Sequence, residues 1–273
     1  MEKFQLSLLF KIIGIGSASG LVYHEDKLYI ISDNSSFLYE YTISNKKLNK
    51  IALVADPQEN ILKKDKPDFE SITLHNTDLI LLGSGSTANR NSVIKYNLKS
   101  YTLNSKDMNG LFSIFKKEHS LKDDELNIEG LIIKNGINYL FQRGNGQSGK
   151  NGILYYDETK EDSNTTFIPI DLPKINNVPA TFTDAILVED KIYFLAAAED
   201  TTSTYEDGEV LGSIIGTIDL KTMKLENYLQ ISDKHKFEGL TLYKKTATQI
   251  ELLLCEDTDT EVLESTIYKV IIE

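Results

Sequence analysis

"KFEGLTLY", residues 236–243, reads as a β-strand with a carboxylate set into its apolar start: Phe237, Leu240 and Leu242 surround Glu238, and Gly239 gives it no cover. The same placement recurs in "ASGLVY" (18–23), "DFESITL" (68–74), "NIEGLII" (127–133) and "TFTDAILV" (181–188). Each copy passes a turn and continues in a second apolar run: "KLYIISD" (27–33), "DLILLGS" (78–84), "INYLFQR" (137–143), "KIYFLAAAED" (191–200) and "IELLLCED" (250–257). A third run follows a polar loop each time, in "SFLYEYTI", "SVIKYNL", "NGILYYD", "GSIIGTIDL" and "STIYKVII". These are rich in the β-branched and aromatic residues that suit a pleated surface.

Fourth runs follow in "KLNKIALV", "TLNSKDM", "TTFIPIDL" and "KLENYLQI", but the fifth copy ends at Glu273 after its third. The stretch "KFQLSLLFKI" (3–12) has a strand's composition and no other role, so it supplies the missing member. Repeats of this length are the mark of radial or stacked architectures. Pairing the two ends of the chain leaves no open sheet edge. The expectation is an all-β, single-domain, five-bladed β-propeller, with blades near 18–55, 68–108, 127–172, 181–232 and 236–273 plus 3–12. The polar residues at the strand starts, Ser19, Glu70, Glu129, Thr183 and Glu238, are spaced by 51, 59, 54 and 55 residues. The longest interval holds "NGLFSIFKKEH" (109–119), whose apolar spacing predicts a short amphipathic helix. Two packed β-sandwiches would leave the recurring polar residue unexplained.

In a propeller the first strands line the central channel, so Ser19, Glu70, Glu129, Thr183 and Glu238 are expected to converge on one axis. Three carboxylates in a partly buried site repel one another, and a cation or protonation must relieve them. The donors are all oxygen, which selects a hard cation, and a wide ring of hydroxyl and carboxylate groups favours Ca2+ over Mg2+. Asp184 is an alternative to Thr183 as the fourth donor. The other reading of the ring is architectural, with each Glu capping backbone amides of a neighbouring blade.

The order Ser, Glu, Glu, Ser/Thr, Glu at the start of five channel strands resembles the calcium-dependent apyrases. That resemblance implies a five-bladed propeller hydrolysing nucleoside di- and triphosphates around a central Ca2+. The "IEGL" (128–131) and "FEGL" (237–240) elements also resemble those of phytase-like propellers. Arg143 in "FQRGNG" matches the apyrases' Arg-containing loop after the third blade's second strand. Their Asp-Asp-Arg-Thr-Gly run after the first blade's second strand is replaced by "SDNSS" (32–36), where only Asp33 remains.

The loops joining second and third strands should crowd the channel mouth. They carry Asp33 and Asn34; Ser84, Ser86 and Arg90; Arg143, Asn145 and Gln147; Glu199 and Asp200; and Glu256, Asp257 and Asp259. Arg90 and Arg143 are the only arginines, against 27 lysines. A guanidinium fork suits phosphate, so Arg90, Arg143, Asn145 and Ser84 are candidate ligand contacts. In an enzyme, Arg143 and a water-orienting acid such as Asp33, Glu199 or Glu256 are the candidate catalytic groups. The alternative is that both arginines pair with acids of the same face.

The formal charge of −12 argues against nucleic acid as a partner. A small phosphorylated molecule or a protein at the mouth loops fits better. One cysteine, Cys255, excludes an intrachain disulfide and suits a reducing compartment. Gln5 and Lys11 interrupt the N-terminal apolar stretch and Glu2 spoils a basic leader, so the expectation is a cytoplasmic monomer without membrane attachment. "GIGSASG" leads into a strand and lacks the helix that would hold a pyrophosphate. No P-loop or GxSxG elbow occurs, and His24, His75, His119 and His235 are scattered. "EDTDTEVLE" (256–264) lacks the central glycine of an EF-hand loop.

Overall fold

Residues such as "LILL" (79–82) are apolar without alternation because both faces of the second strands are covered, and each of these four side chains is at most 4% exposed. A computed structural model describes residues 3–160, 165–203, 208–257 and 262–273. Asp259 lies outside the described residues.

The chain starts with β1 (Phe4–Ile13) and then builds four blades in order. Blade 1 is β2 (Ala18–His24), β3 (Lys27–Ser32), β4 (Phe37–Thr42) and β5 (Lys47–Ala52). Blade 2 is β6 (Phe69–His75), β7 (Asp78–Gly83), β8 (Ser92–Asn97) and β9 (Leu103–Asp107), followed by helix α1 (Asn109–Glu118). Blade 3 is β10 (Ile128–Lys134), β11 (Ile137–Gln142), β12 (Gly152–Asp157) and β13 (Thr166–Pro169). Blade 4 is β15 (Val178–Val188), β16 (Lys191–Asp200), β17 (Glu209–Asp219) and β18 (Lys224–Ser232), with the two-residue β14 (Lys174–Ile175) added on its inner side. Blade 5 is β19 (Phe237–Lys245), β20 (Ile250–Glu256) and β21 (Glu264–Ile272), and β1 is its outermost strand. The fold is an all-β, five-bladed β-propeller.

Every blade is an antiparallel meander with tight turns. In the β10–β11 hairpin, Asn135 and Gly136 take φ of 53° and 78°, the left-handed pair that a two-residue turn matched to strand twist requires. The apolar residues divide into five clusters, each at the seam between two neighbouring blades. At the closing seam, Ile12 joins Leu21, Leu28 and Ile30 of blade 1 and Leu253 and Ile267 of blade 5. Because each blade is apolar on both faces, no blade can bury its surface alone, and the ring must close for any seam to be complete.

Closure is made by β1 pairing with β21, from Phe4 opposite Ile272 to Ile13 opposite Glu264. Helix α1 turns Phe112 and Phe115 into the seam of blades 2 and 3, where both are at most 1% exposed.

Ile12→Ala should therefore lower the unfolding free energy by about 2–4 kcal/mol. Leu8→Ala, at a position 53% exposed on the same strand, should stay within about 0.5 kcal/mol. Urea titrations of the two variants check the closure, and equal effects would contradict it.

Candidate functional site

In all five blades the pairing of the first strand with the second slips by one residue at the polar position. The breaks fall at Ala18/Gly20, Phe69/Ser71, Ile128/Gly130, Phe182/Asp184 and Phe237/Gly239, enclosing Ser19, Glu70, Glu129, Thr183 and Glu238. A β-bulge re-aims a side chain, and here it does so five times at the start of the channel-lining strand. The residue after the bulge must be small where neighbouring first strands touch. A Cβ on Gly239 would lie 2.5 Å from Cys255 Sγ and 2.9 Å from Gly20 Cα. Asp184 occupies the equivalent place in blade 4 and uses its carboxylate structurally, accepting the backbone N–H of Leu240 in blade 5 at 2.7 Å and that of Ala185 at 2.7 Å.

Two residues before each bulge stands a second polar tier, Ser17, Asp68, Asn127, Thr181 and Lys236, all at most 8% exposed. Asn127 donates to Glu129, Lys236 pairs with Glu238 and Asp68 lies within 4.8 Å of Glu70, so these three belong to the channel with the ring. They are the part of the site the sequence reading passed over, and a period-2 search back from each ring residue finds them.

The two hydroxyls of the ring stitch blades together. Ser19 Oγ donates to the Phe69 carbonyl at 2.5 Å, and Thr183 Oγ1 donates to the Phe237 carbonyl at 2.7 Å. Carboxylates cannot donate, and the three glutamates are accommodated differently.

Glu129 and Glu238 meet buried cations. Arg143, at the end of β11, donates Nη1 to Glu129 at 3.2 Å and Nη2 to Glu199, and lies 4.0 Å from Glu238. Lys236 Nζ is 2.9 Å from Glu238 and 3.8 Å from Glu199. Burial works against both cations, but the surrounding glutamates more than offset it and hold Arg143 and Lys236 firmly protonated. Burial pushes Glu129 up to about 7, opposed by Arg143 and assisted by Glu238. Asn127 Nδ2 also donates to Glu129 at 2.7 Å.

Glu70 is the exception. Among the described residues no hydrogen bond or ion pair reaches its carboxylate, and one oxygen from each of Asp33, Asp68 and Glu70 lies within 4.8 Å of the other two. Lys66 Nζ binds Asp33 and sits 2.8 Å from Asp68. Arg90 Nη1 donates to Asp68 at 2.9 Å and to Ser86 Oγ at 2.9 Å. Ser84 Oγ donates to the same Asp68 carboxylate. Lys66 and Arg90 thus serve Asp33 and Asp68, and one acid of the group is left in excess. Burial, then Asp68, Glu129, Glu238 and Asp33, raise the Glu70 pKa well above the ordinary carboxylate value.

The remaining candidates cluster on the same face. Glu199 accepts the Gly208 N–H at 2.9 Å besides Arg143. Asn145 accepts from Asn127 Nδ2 at 3.5 Å and donates to the Ser203 carbonyl at 3.4 Å. Glu256 is set apart from the arginines, held by His235 Nδ1 and by the Tyr268 hydroxyl at 2.9 Å. Arg90 and Arg143 are 3% and 5% exposed, so their charge is spent inside the protein and not offered to solvent. The sequence reading found the arginines and the ring, but not Lys66 and Lys236, which stand four and two residues before ring glutamates.

Residues 14–272 match the family described as "Family of unknown function (DUF6929)", and the chain belongs to it. No curated protein matches the chain. Among solved structures it is similar to the allergen Mala s 1 of Malassezia sympodialis, with a TM-score of 0.58, 10% identity, and 97% of this chain and 96% of that one covered. It is also similar to Myxococcus xanthus glutaminyl cyclase, with a TM-score of 0.51, 11% identity, and 98% and 97% covered. At such identities the likeness is one of fold alone. Among the described residues no helix is long and apolar enough to cross a membrane.

A carboxyl whose pKa is raised on folding binds more protons in the folded state between its unfolded and folded values, so unfolding free energy falls as pH rises through that window. In chelator-treated protein, urea midpoints should fall as pH rises above the ordinary carboxylate range, and Glu70→Gln should lessen that fall. An unchanged pH slope in the variant would show that Glu70 ionises as it does in the unfolded chain.

Proposed function

We propose that the chain is a non-catalytic propeller that binds a hard divalent cation, Ca2+, in its axial channel and presents its mouth loops to a protein or small-molecule partner. The observation that carries this reading is Glu70, a nearly buried carboxylate beside Asp33 and Asp68 whose charge no side-chain donor meets. The donor set fits Ca2+ in kind, being oxygen throughout. Glu70, Asp68 and Asp33 would hold the ion. Ser19 and Thr183 keep lone pairs after donating to backbone carbonyls, whereas Glu129 and Glu238 already have Arg143 and Lys236. The ion would therefore sit toward blades 1 and 2, adding the positive charge that Lys66 and Arg90 leave wanting.

Hydrolysis of a nucleotide or another small phosphate ester, which the apyrase-like order of ring residues implies, is the second reading. It needs guanidinium groups that can take phosphate oxygens. Arg90 and Arg143 are engaged by Asp68, Glu129 and Glu199, and releasing either would leave buried acids without a counter-charge. Binding without turnover is the better-supported function.

Calorimetric titration should show Ca2+ binding to chelator-treated protein, with a rise in Tm that Glu70→Gln abolishes. No heat and no Tm shift would refute the cation. Ca2+-stimulated phosphate release from a panel of nucleotides and phytate, lost in Arg143→Ala, would replace the binding reading with the enzymatic one.

A further inference from the structure

The outermost strand of each blade has one edge without a neighbouring strand, and four of the five are blunted against pairing. β5 carries Lys47 and Lys50, β9 carries Lys106 and Asp107, and β18 carries Lys224 and Glu226. β13 is four residues long and ends in Pro169. β1 has ten residues, and from Phe4 to Phe10 none is charged and none is proline. Phe4 is 40% exposed, Leu8 53% and Leu9 38%. Tyr228 of β18, 52% exposed, shares a small cleft with Ile272, the residue opposite Phe4, so the apolar surface continues onto blade 4. Exposed apolar side chains beside an open strand edge mark a pairing surface.

The register of β1 decides what fits there. The Glu273 N–H donates to the Lys3 carbonyl at 3.0 Å, so residues 3, 5 and 7 exchange hydrogen bonds with β21. Phe4, Leu6 and Leu8 then turn their N–H and C=O groups to the open side, up to the slip between Leu8 and Phe10. These three are spaced evenly about Leu6, and a two-fold axis there makes the edge its own complement. Phe4 then faces Leu8 of the second copy, so the exposed side chains become cross-strand neighbours. That register also brings Lys3 near Leu9, whereas an axis at Ser7 would set Lys3 against Lys11. Two chains of net charge −12 repel, but residues 3–13 hold no acid, so this edge is where copies can approach with least opposition. We infer that β1 pairs antiparallel with β1 of a second copy of this chain, about a two-fold axis at Leu6. The two fifth blades become one sheet of eight strands, four from each copy. The pairing is independent of the axial cation and replaces the monomer expected from the sequence.

Sedimentation equilibrium from about 1 μM to about 1 mM, the span of ordinary association constants, tests the pairing on the whole chain. The mass should rise with concentration from 30.8 kDa to twice that value and stop there, because a two-fold pair leaves no second free edge. Leu8→Lys and Phe4→Lys each place a charge at an exposed position on the edge. Each should raise the dissociation constant at least about tenfold, since the lost contact occurs twice, while the urea midpoint of dilute protein stays at the wild-type value. Hydrogen exchange on the wild type gives the second reading: the amides of Phe4, Leu6 and Leu8 should slow as dimer forms. A constant mass of 30.8 kDa, assembly beyond the dimer, a dimer untouched by both lysines, or exchange at these amides that ignores concentration overturns the inference.

Discussion

A carboxylate taken out of water must meet a positive charge or keep its proton, and three such groups facing one channel cannot avoid the choice. The rest of the site is arranged around that constraint. Arg143 answers it for Glu129 and Glu199, Lys236 answers it for Glu238, and Lys66 with Arg90 answers it for Asp33 and Asp68. Glu70 is where the internal cations run out. The ring is thus two kinds of device on one axis: ion pairs that join blades 3, 4 and 5, with hydroxyl stitches from blade 1 to blade 2 and from blade 4 to blade 5, and an acidic group between blades 1 and 2 in which no described side-chain donor meets Glu70.

The constraint reaches the fold through the bulges. A regular strand would alternate its side chains evenly between the two seams, and the slip at each of the five strand starts turns one polar residue toward the axis. Packing then closes around it: the residue after the slip is Gly20, Ser71, Gly130, Asp184 or Gly239, because neighbouring backbones approach too closely for bulk. Asp184 shows the tolerance of this rule. It fits by spending both carboxylate oxygens on backbone N–H groups, at the cost of a carboxyl that burial pushes well above its ordinary pKa.

Much of the architecture was legible before any coordinates, for physical reasons. Continuous apolar second strands, β-branched third strands and a recurrence of 51 to 59 residues with a polar residue at each strand start describe blades, and β1 was recognisable because the fifth repeat lacked a partner. Helix α1 announced itself by Phe112 and Phe115 at helical spacing. β14 was invisible because two residues carry no period. The ring residues stood out as polar groups in apolar surroundings. Their counter-ions did not, since Lys66 and Lys236 look like any two of 27 lysines until the fold brings four blades to one axis. Pairing of the arginines with acids was foreseeable as one of two outcomes, but not its depth, because burial depends on contacts between residues as distant in sequence as Arg143 and Glu199.

A crystal structure grown with Ca2+ at high resolution tests the central claim most directly, through anomalous difference density in the channel. The account predicts a peak within coordination distance of the Glu70 carboxylate, on the side of Asp33 and Asp68, with Arg143 still paired to Glu129. An empty channel in which Glu70 has turned to bond Lys66 would contradict it, because the acidic group would then be balanced from within and no ion would be called for.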